Sequence, residues 1–258
     1  MTNIPITVNK EKCVGCGLCV KDCPNGHLYL ENGKADVKKD GCIECGHCFA
    51  VCPQHAVEMN NYDTSDCDSF VSLADIDSDR LLLAMKSRRS VRQFKNIPVE
   101  QDLIDKILEA GRYSPTGANS QGVRYTILGS KQDEIEKECV SLFSKAFKAA
   151  SPFVKRISNI KIDDRFFFKG APLVIVVSGT NSIDAGLASS YMELMAGSLG
   201  LGVFYSGFFV ICSKLSRKIR KTLSLQMNEK VFSCLVIGHP DVSYQRIVPR
   251  KKLKAKRL

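Results

Sequence analysis

At 258 residues, 44% hydrophobic and 25% charged, the chain has the composition of a globular protein long enough for two domains. No apolar run approaches the roughly 20 residues that span a bilayer. The start, MTNIPITVNK, has no apolar export core, so neither membrane insertion nor export is expected and the location expected is cytoplasmic. The net charge of +10 is uneven: residues 1–70 hold 6 Lys and no Arg against 10 Asp and Glu, whereas residues 71–258 hold 31 basic and 17 acidic residues. The end, RKKLKAKRL, has six cations and no acid. No nucleic-acid recognition module accompanies that charge, so nucleic acid is not expected as a partner.

The N-terminal stretch repeats. Cys13, Cys16, Cys19 and Cys23 recur 29 residues later as Cys42, Cys45, Cys48 and Cys52, each set in the form C-x2-C-x2-C-x3-C-P. Each is followed by a short apolar stretch, HLYL (27–30) or HAVEM (55–59), predicting loop, short helix and strand twice over residues 4–60. Twelve cysteines could form disulfides, but eight in two regular clusters point to metal ligation in a reducing compartment. Paired zinc sites are the alternative, yet zinc is ordinarily held by two short C-x-x-C hooks, not three hooks and a Pro-flanked fourth used twice. A [4Fe–4S] cube takes four thiolates, and in this spacing the fourth cysteine ligates the other cluster. The expected sets are therefore crossed: Cys13, Cys16, Cys19 and Cys52 for one cube, and Cys42, Cys45, Cys48 and Cys23 for the other. Gly15, Gly17 and Gly46 let the backbone bend and turn N–H groups toward sulfur. This stretch resembles the bacterial two-cluster ferredoxin domain over its whole length.

Residues 61–76 are acidic and Ser-rich, the pattern of a linker, with Cys67 an ordinary thiol. An α/β pattern then runs from 77 to 258. SDRLLLAMKSR (78–88) predicts an amphipathic helix capped by Asp77 or Ser78. Residues 99–113 predict a helix with Leu103, Ile104, Ile107 and Leu108 on one face and Gly111 at its end. Residues 124–130 predict a strand and 131–150 a long helix. APLVIVVSGT (171–180) predicts a strand buried on both faces. Residues 182–202, with little charge, predict a helix in the core or at a subunit interface. Residues 214–225 predict a further helix and 231–238 a second buried strand. Cys212 and Cys234 fall in apolar elements and are expected in the core.

SRRSVRQF (87–94) places Arg88, Arg89, Ser90 and Arg92 together, donors suited to phosphate oxygens. SPTGANSQ (114–121) follows one helix later and PRKKL (249–253) lies near the end. In that order, with KGAPLVIVV (169–177), DAGLASSYMELMAGSLGLG (184–202), YSGF (205–208) and LSLQMNEKVFSCLVIGHP (223–240), these segments resemble the nitroreductase family of FMN-dependent oxidoreductases over about residues 77–253. The resemblance implies an α+β fold, a mostly antiparallel sheet wrapped by helices, preceded here by the small iron–sulfur domain.

It implies that Arg88, Arg89, Ser90 and Arg92 grip the FMN phosphate and ribityl chain, joined by Arg250 and Lys252. It implies that Pro115, Thr116, Gly117 and Asn119 reach the FMN of the other subunit of an obligate homodimer, and that Ser206 and Gly207 present backbone near N5. The chain departs from the family at Gly122 and Val123, where many members have Pro-Trp, and at Ser206, where Glu is usual. No catalytic side chain is expected, since hydride leaves from FMN N5.

Together the halves predict an oxidoreductase passing electrons from two [4Fe–4S] clusters to FMN and on to a small organic electrophile: a nitro compound, quinone or enone. The donor expected is reduced ferredoxin, flavodoxin or NAD(P)H. The alternative is a module that hands electrons to a protein partner and has no small substrate of its own.

Overall fold

The computed structural model describes residues 5–65, 67–145 and 161–257 in full, and the backbone of 146–150; the ends of the predicted domains, residues 1–4 and 258, lie outside the described residues. The chain divides into two compact units. One is Met1–Asp75 with Gly117–Ser120; the other is Ile76–Thr116 with Gln121–Leu258.

The first unit is a pseudo-two-fold built by the repeat. It contains β1 (Ile6–Val8), α1 (Leu18–Asp22), β2 (Leu28–Glu31), β3 (Lys34–Val37), α2 (His47–Ala50) and β4 (Val57–Met59). β1 pairs antiparallel with β4, and β2 with β3. The backbone repeats with the sequence. Gly17 and Gly46 both precede a helix at φ 73°, Gly15 (φ 72°) corresponds to Glu44 (φ 54°), and Gly26 (φ 57°) to His55 (φ 47°). Positive φ favours glycine, yet only Gly15 also has no room: a Cβ there would lie 2.0 Å from the Gly33 carbonyl oxygen. A small core of Ile6, Leu28, Ala35, Ala56 and Val57 packs with buried Cys13, Cys19 and Cys48.

The second unit is built on one antiparallel sheet. Its elements are α3 (Ser78–Ser87), α4 (Gln101–Arg112), β5 (Arg124–Ile127), α5 (Gln132–Ala150), β6 (Leu173–Gly179), α6 (Ser182–Ser198), β7 (Gly202–Tyr205), α7 (Gly207–Leu215), α8 (Arg217–Thr222) and β8 (Lys230–Gly238). The strand order is β5-β6-β8-β7, all pairs antiparallel. The continuous apolar run of β6 reflects burial on two faces. Val174 and Val176 join Cys234 and Val236 of β8 against α5, α7 and α8. Leu173, Ile175 and Val177 join Leu235 and Ile237 against α4 and α6. Side chains alternate along a strand, and burying each of these aliphatics stabilises by roughly 1.5–3 kcal/mol. Cys139, Cys212 and Cys234 all lie in the α5–α7–α8 side of the core.

Several predicted elements change. The 214–225 helix is two: α7 begins at Gly207, and Ser216, extended at φ −96° and ψ 114°, breaks the run and caps α8 through Ile219 N–H. Gly111 does not terminate α4. It sits inside the helix, where a Cβ would come within 3.0 Å of Met192 and the Tyr125 ring, so it permits the close approach of α4 to α6. The 124–130 strand stops at Ile127, a 3-10 turn following at Gly129–Lys131. The 182–202 helix ends at Ser198, and its last residue, Gly202, begins the unforeseen strand β7. α3 forms with Asp77 accepting from Arg80 N–H, but none of its residues is buried. No helix among the described residues is long and apolar enough to cross a membrane.

Candidate functional site

In the first unit, each crossed set of cysteines lines one hollow of about 350 Å3. Cys23, Cys42, Cys45 and Cys48 face one, with Ile6, His27 and Glu44. Cys13, Cys16, Cys19 and Cys52 face the other, with Val8, Ala35 and Ala56. Among the described residues no group of three or more His, Cys, Asp or Glu side chains is drawn together tightly enough to hold a single metal ion.

The cages are lined with amide donors. His27 N–H points at Cys23 Sγ at 3.1 Å and its repeat partner Ala56 N–H at Cys52 Sγ at 3.3 Å. Ala35 N–H reaches Cys13 Sγ and Glu44 N–H reaches Cys42 Sγ, both at 3.4 Å. Such donors favour thiolate. Cys13 is held below the usual thiol range, first by the Ala35 N–H, with Lys34 and Lys10 also contributing. Cys42 is pushed up by burial; the Glu44 N–H works against this, while the Cys45 and Glu44 charges add to the rise. Burial pushes Cys48 up to about 11. A thiol raised as Cys48 is stays protonated until a metal displaces the proton.

Asn119 belongs to this unit. Its Nδ2 donates to the carbonyl oxygens of Ile43 (3.3 Å) and Glu44 (2.9 Å). The Ile43 carbonyl shares a peptide with the Glu44 N–H that faces Cys42, so Asn119 polarises that donor. Gly117 is in the same unit, whereas Pro115 and Thr116 fall in the other.

In the second unit the arginine segment is tied to the edge of the sheet by isolated bridges. Ser90 bridges Val203 in parallel, and Val91 N–H donates to Val203 O at 3.0 Å. Further along, the segment pairs with the chain leaving β8: Lys95 N–H donates to His239 O and Asp241 N–H to Gln93 O, both at 2.9 Å. Tyr244 then passes Ser90, its OH donating to Ser90 O at 3.4 Å, with the Arg89 guanidinium 5.8 Å from its ring centre. Arg250 and Lys252 lie exposed in the irregular chain beyond it. Close seating of the segment depends on Gly202, where a Cβ would fall 2.7 Å from Val91.

Arg88 donates to Glu193 Oε1 at 2.7 Å. That buried carboxylate on α6 was not singled out from sequence, although an acid amid apolar residues in a helix, as Glu193 is and Asp184 is at the helix start, is a usable signal. One of the five guanidinium donors is thereby engaged. Arg92 lies 5.1 Å over the Phe204 ring and donates to Ser90 O. Tyr205 OH donates to Ser189 O at 2.9 Å, and burial, then Glu193, pushes its pKa well up, so its proton stays in place. Buried Ser206 donates its N–H to Cys234 O and precedes α7, whose first residue is Gly207. A hollow of about 900 Å3 opens beside Arg88, Arg89, Glu193, Gly202 and Tyr244.

Comparison with known proteins follows this division. A family model described as "Nitroreductase family" matches residues 85–239, and one described as "4Fe-4S dicluster domain" matches residues 12–57. The chain is 26% identical over 178 residues to the FMN reductase [NAD(P)H] of Bacillus subtilis, covering 63% of this chain and 66% of that one. It is 26% identical over 194 residues to the iodotyrosine deiodinase of Hydra vulgaris, covering 69% and 70%. A nitroreductase with bound FMN from Desulfitobacterium hafniense shares the fold at a TM-score of 0.54, with 23% identity over 68% of this chain and 97% of that one.

Proposed function

Because the chain belongs to the nitroreductase family and carries a 4Fe-4S dicluster domain ahead of it, we propose that it is an oxidoreductase that passes electrons from two [4Fe–4S] clusters to FMN and on to a small organic electrophile. The observation that carries this reading is the crossed lining of the two hollows, four cysteines to each.

When bound, clusters deliver electrons singly and a flavin delivers them in pairs. The chain's own residues do the rest. Cys13, Cys16, Cys19 and Cys52 hold one cube, and Cys23, Cys42, Cys45 and Cys48 the other. Arg88, Arg89, Ser90 and Arg92, with Arg250 and Lys252, neutralise and orient the flavin phosphate. Ser206 and Gly207 bring backbone to the start of α7, where a helix leaves its first N–H groups without intrahelical partners; the Ser206 N–H itself is taken by Cys234 O, so the free donors come from Gly207 onward. Electrons entering through the clusters, from a reduced ferredoxin, flavodoxin or NAD(P)H, leave the flavin face open to the substrate. Iron, sulfide and flavin assays of anaerobically purified protein test this directly: about eight irons per chain are expected, with FMN.

Gly202→Ala should weaken FMN binding at least about tenfold, roughly 1.4 kcal/mol, because the new methyl displaces Val91 and with it the arginine segment. Iron content should stay unchanged; equal FMN affinity in the two proteins would refute the role given to that segment.

The working form proposed is a homodimer. Leu81, Leu82, Leu83 and Met85 of α3 are 41–55% exposed, and Ile183, Leu187 and Tyr191 of α6 are 39–70% exposed. Apolar surface gathered on two helices is the kind a second copy covers. Sedimentation should give a dimer for the wild type and a monomer depleted of flavin for Leu82→Asp. A monomeric wild type with full flavin would contradict the dimer.

A further inference from the structure

One repeat builds both cages, yet the charges around them differ. β3 lines the first cage as β1 lines the second: Ala35 faces the hollow of Cys13, Cys16, Cys19 and Cys52, and Ile6 faces the other. The residue before Ala35 is Lys34; the residue before Ile6 is Pro5. Lys34 Nζ donates to the carbonyl oxygen of Cys13 at 2.5 Å. It is half-buried, and among the described residues it has no carboxylate partner. Lys10 is near the same cage but its charge is paired with Asp36 at 2.6 Å. The second cage has a carboxylate instead. Where the first repeat has Gly15, the second has Glu44, which lines the hollow and accepts from Asn61 through Oε2 at 3.0 Å.

Reduction adds one negative charge to a cluster. A nearby unpaired cation favours that charge and a nearby anion opposes it, more strongly as the surroundings become less polar. Resting on the reading of the hollows as cluster cages, we propose that Lys34 sets the potential of the cluster held by Cys13, Cys16, Cys19 and Cys52 above that of its neighbour. Glu44 holds the other cluster down. An electron given to the unit by a one-electron donor therefore comes to rest on the Lys34 cluster: the second cluster is reoxidised as the first is reduced, and no proton moves. Asn119 acts in the opposite sense, since it strengthens the N–H donor to Cys42. It does so through a peptide dipole, whose field is weaker than that of a whole charge.

The test is an EPR-monitored redox titration of the anaerobic full-length holoprotein, after iron has been counted. Two separate midpoints are expected. Lys34→Gln should lower the higher one alone, Lys34→Arg should keep it, and Glu44→Gln should raise the lower one alone. Cys16→Ser should remove the signal of the higher midpoint and Cys45→Ser that of the lower. Lys34→Gln leaving both midpoints in place, or moving both equally, overturns the proposal. If Lys34→Gln loses its iron, Glu44→Gln decides, and an unmoved lower midpoint overturns the proposal equally. Wild-type protein without iron would instead remove the cages themselves, which is a different failure and is seen before the titration begins.

Discussion

Gly15→Ala should cripple the iron–sulfur unit, whereas Gly33→Ala should weaken it distinctly less. Both glycines have positive φ, 72° and 75°, so an alanine costs roughly 1–2 kcal/mol at either site. The difference is room. At Gly33 a Cβ meets nothing within 4 Å, but at Gly15 it lands 2.0 Å from the Gly33 carbonyl oxygen. That contact forces the first cage loop away from the β2–β3 turn and with it the Ala35 N–H away from Cys13. Overpacking of this kind costs about 1–3 kcal/mol more, against a small domain's few kcal/mol of stability. Thermal loss of cluster absorbance in anaerobic holoprotein should therefore move down by on the order of 10–20 °C for Gly15→Ala, and by distinctly less for Gly33→Ala. Equal shifts would show that backbone conformation alone, not the close approach, fixes Gly15. Glu44 shows that the repeat tolerates a side chain at the equivalent position, at φ 54°.

Cysteine-to-serine changes should sort by cage and not by sequence neighbourhood. Cys23→Ser should remove the same EPR signal as Cys42→Ser, although Cys23 lies in the first motif. Cys52→Ser should remove the same signal as Cys13→Ser. The reason is the lining of the hollows, where each motif lends its fourth cysteine to the other. Each change should reduce iron from about eight to about four per chain. If Cys23→Ser instead matched Cys19→Ser, the sets would be uncrossed. Cys139→Ser and Cys212→Ser, both in the core of the second unit, should leave iron unchanged.

The sorting of the cysteines into two crossed linings was legible in the sequence because the first three of each loop are three positions apart, a local spacing that needs no knowledge of the fold. β6 and β8 were legible for a similar reason: their apolar runs are long and bounded. What escaped depended on partners far along the chain. Strand β7 has four residues and looks like the tail of the preceding helix until Val203 pairs with Ser90 and Ile237. The Ala35 N–H on Cys13 and the Lys34 ammonium beside it come from a hairpin more than twenty residues away. Gly111 carries the usual signal of a helix end, and its role in admitting Met192 and Tyr125 is visible only once α6 is packed on α4. The 207–222 stretch shows why boundaries fail: apolar spacing continues through Ser216, but the Ser216 hydroxyl bonds Glu138 and caps a new helix. Arg88 illustrates a different limit. Its type and place suited a phosphate, yet part of its guanidinium serves Glu193, 105 residues on.

The central claim is that electrons carried by clusters on the eight N-terminal cysteines would reach the flavin of the same protein. Stopped-flow spectroscopy without oxygen tests it most directly. After a pulse of a one-electron reductant, the clusters of the wild type should reoxidise with the same rate constant with which the flavin bleaches, and Cys16→Ser and Cys45→Ser should abolish that phase. Flavin that bleaches at an unchanged rate in both variants, or clusters that stay reduced beside oxidised flavin, would contradict it.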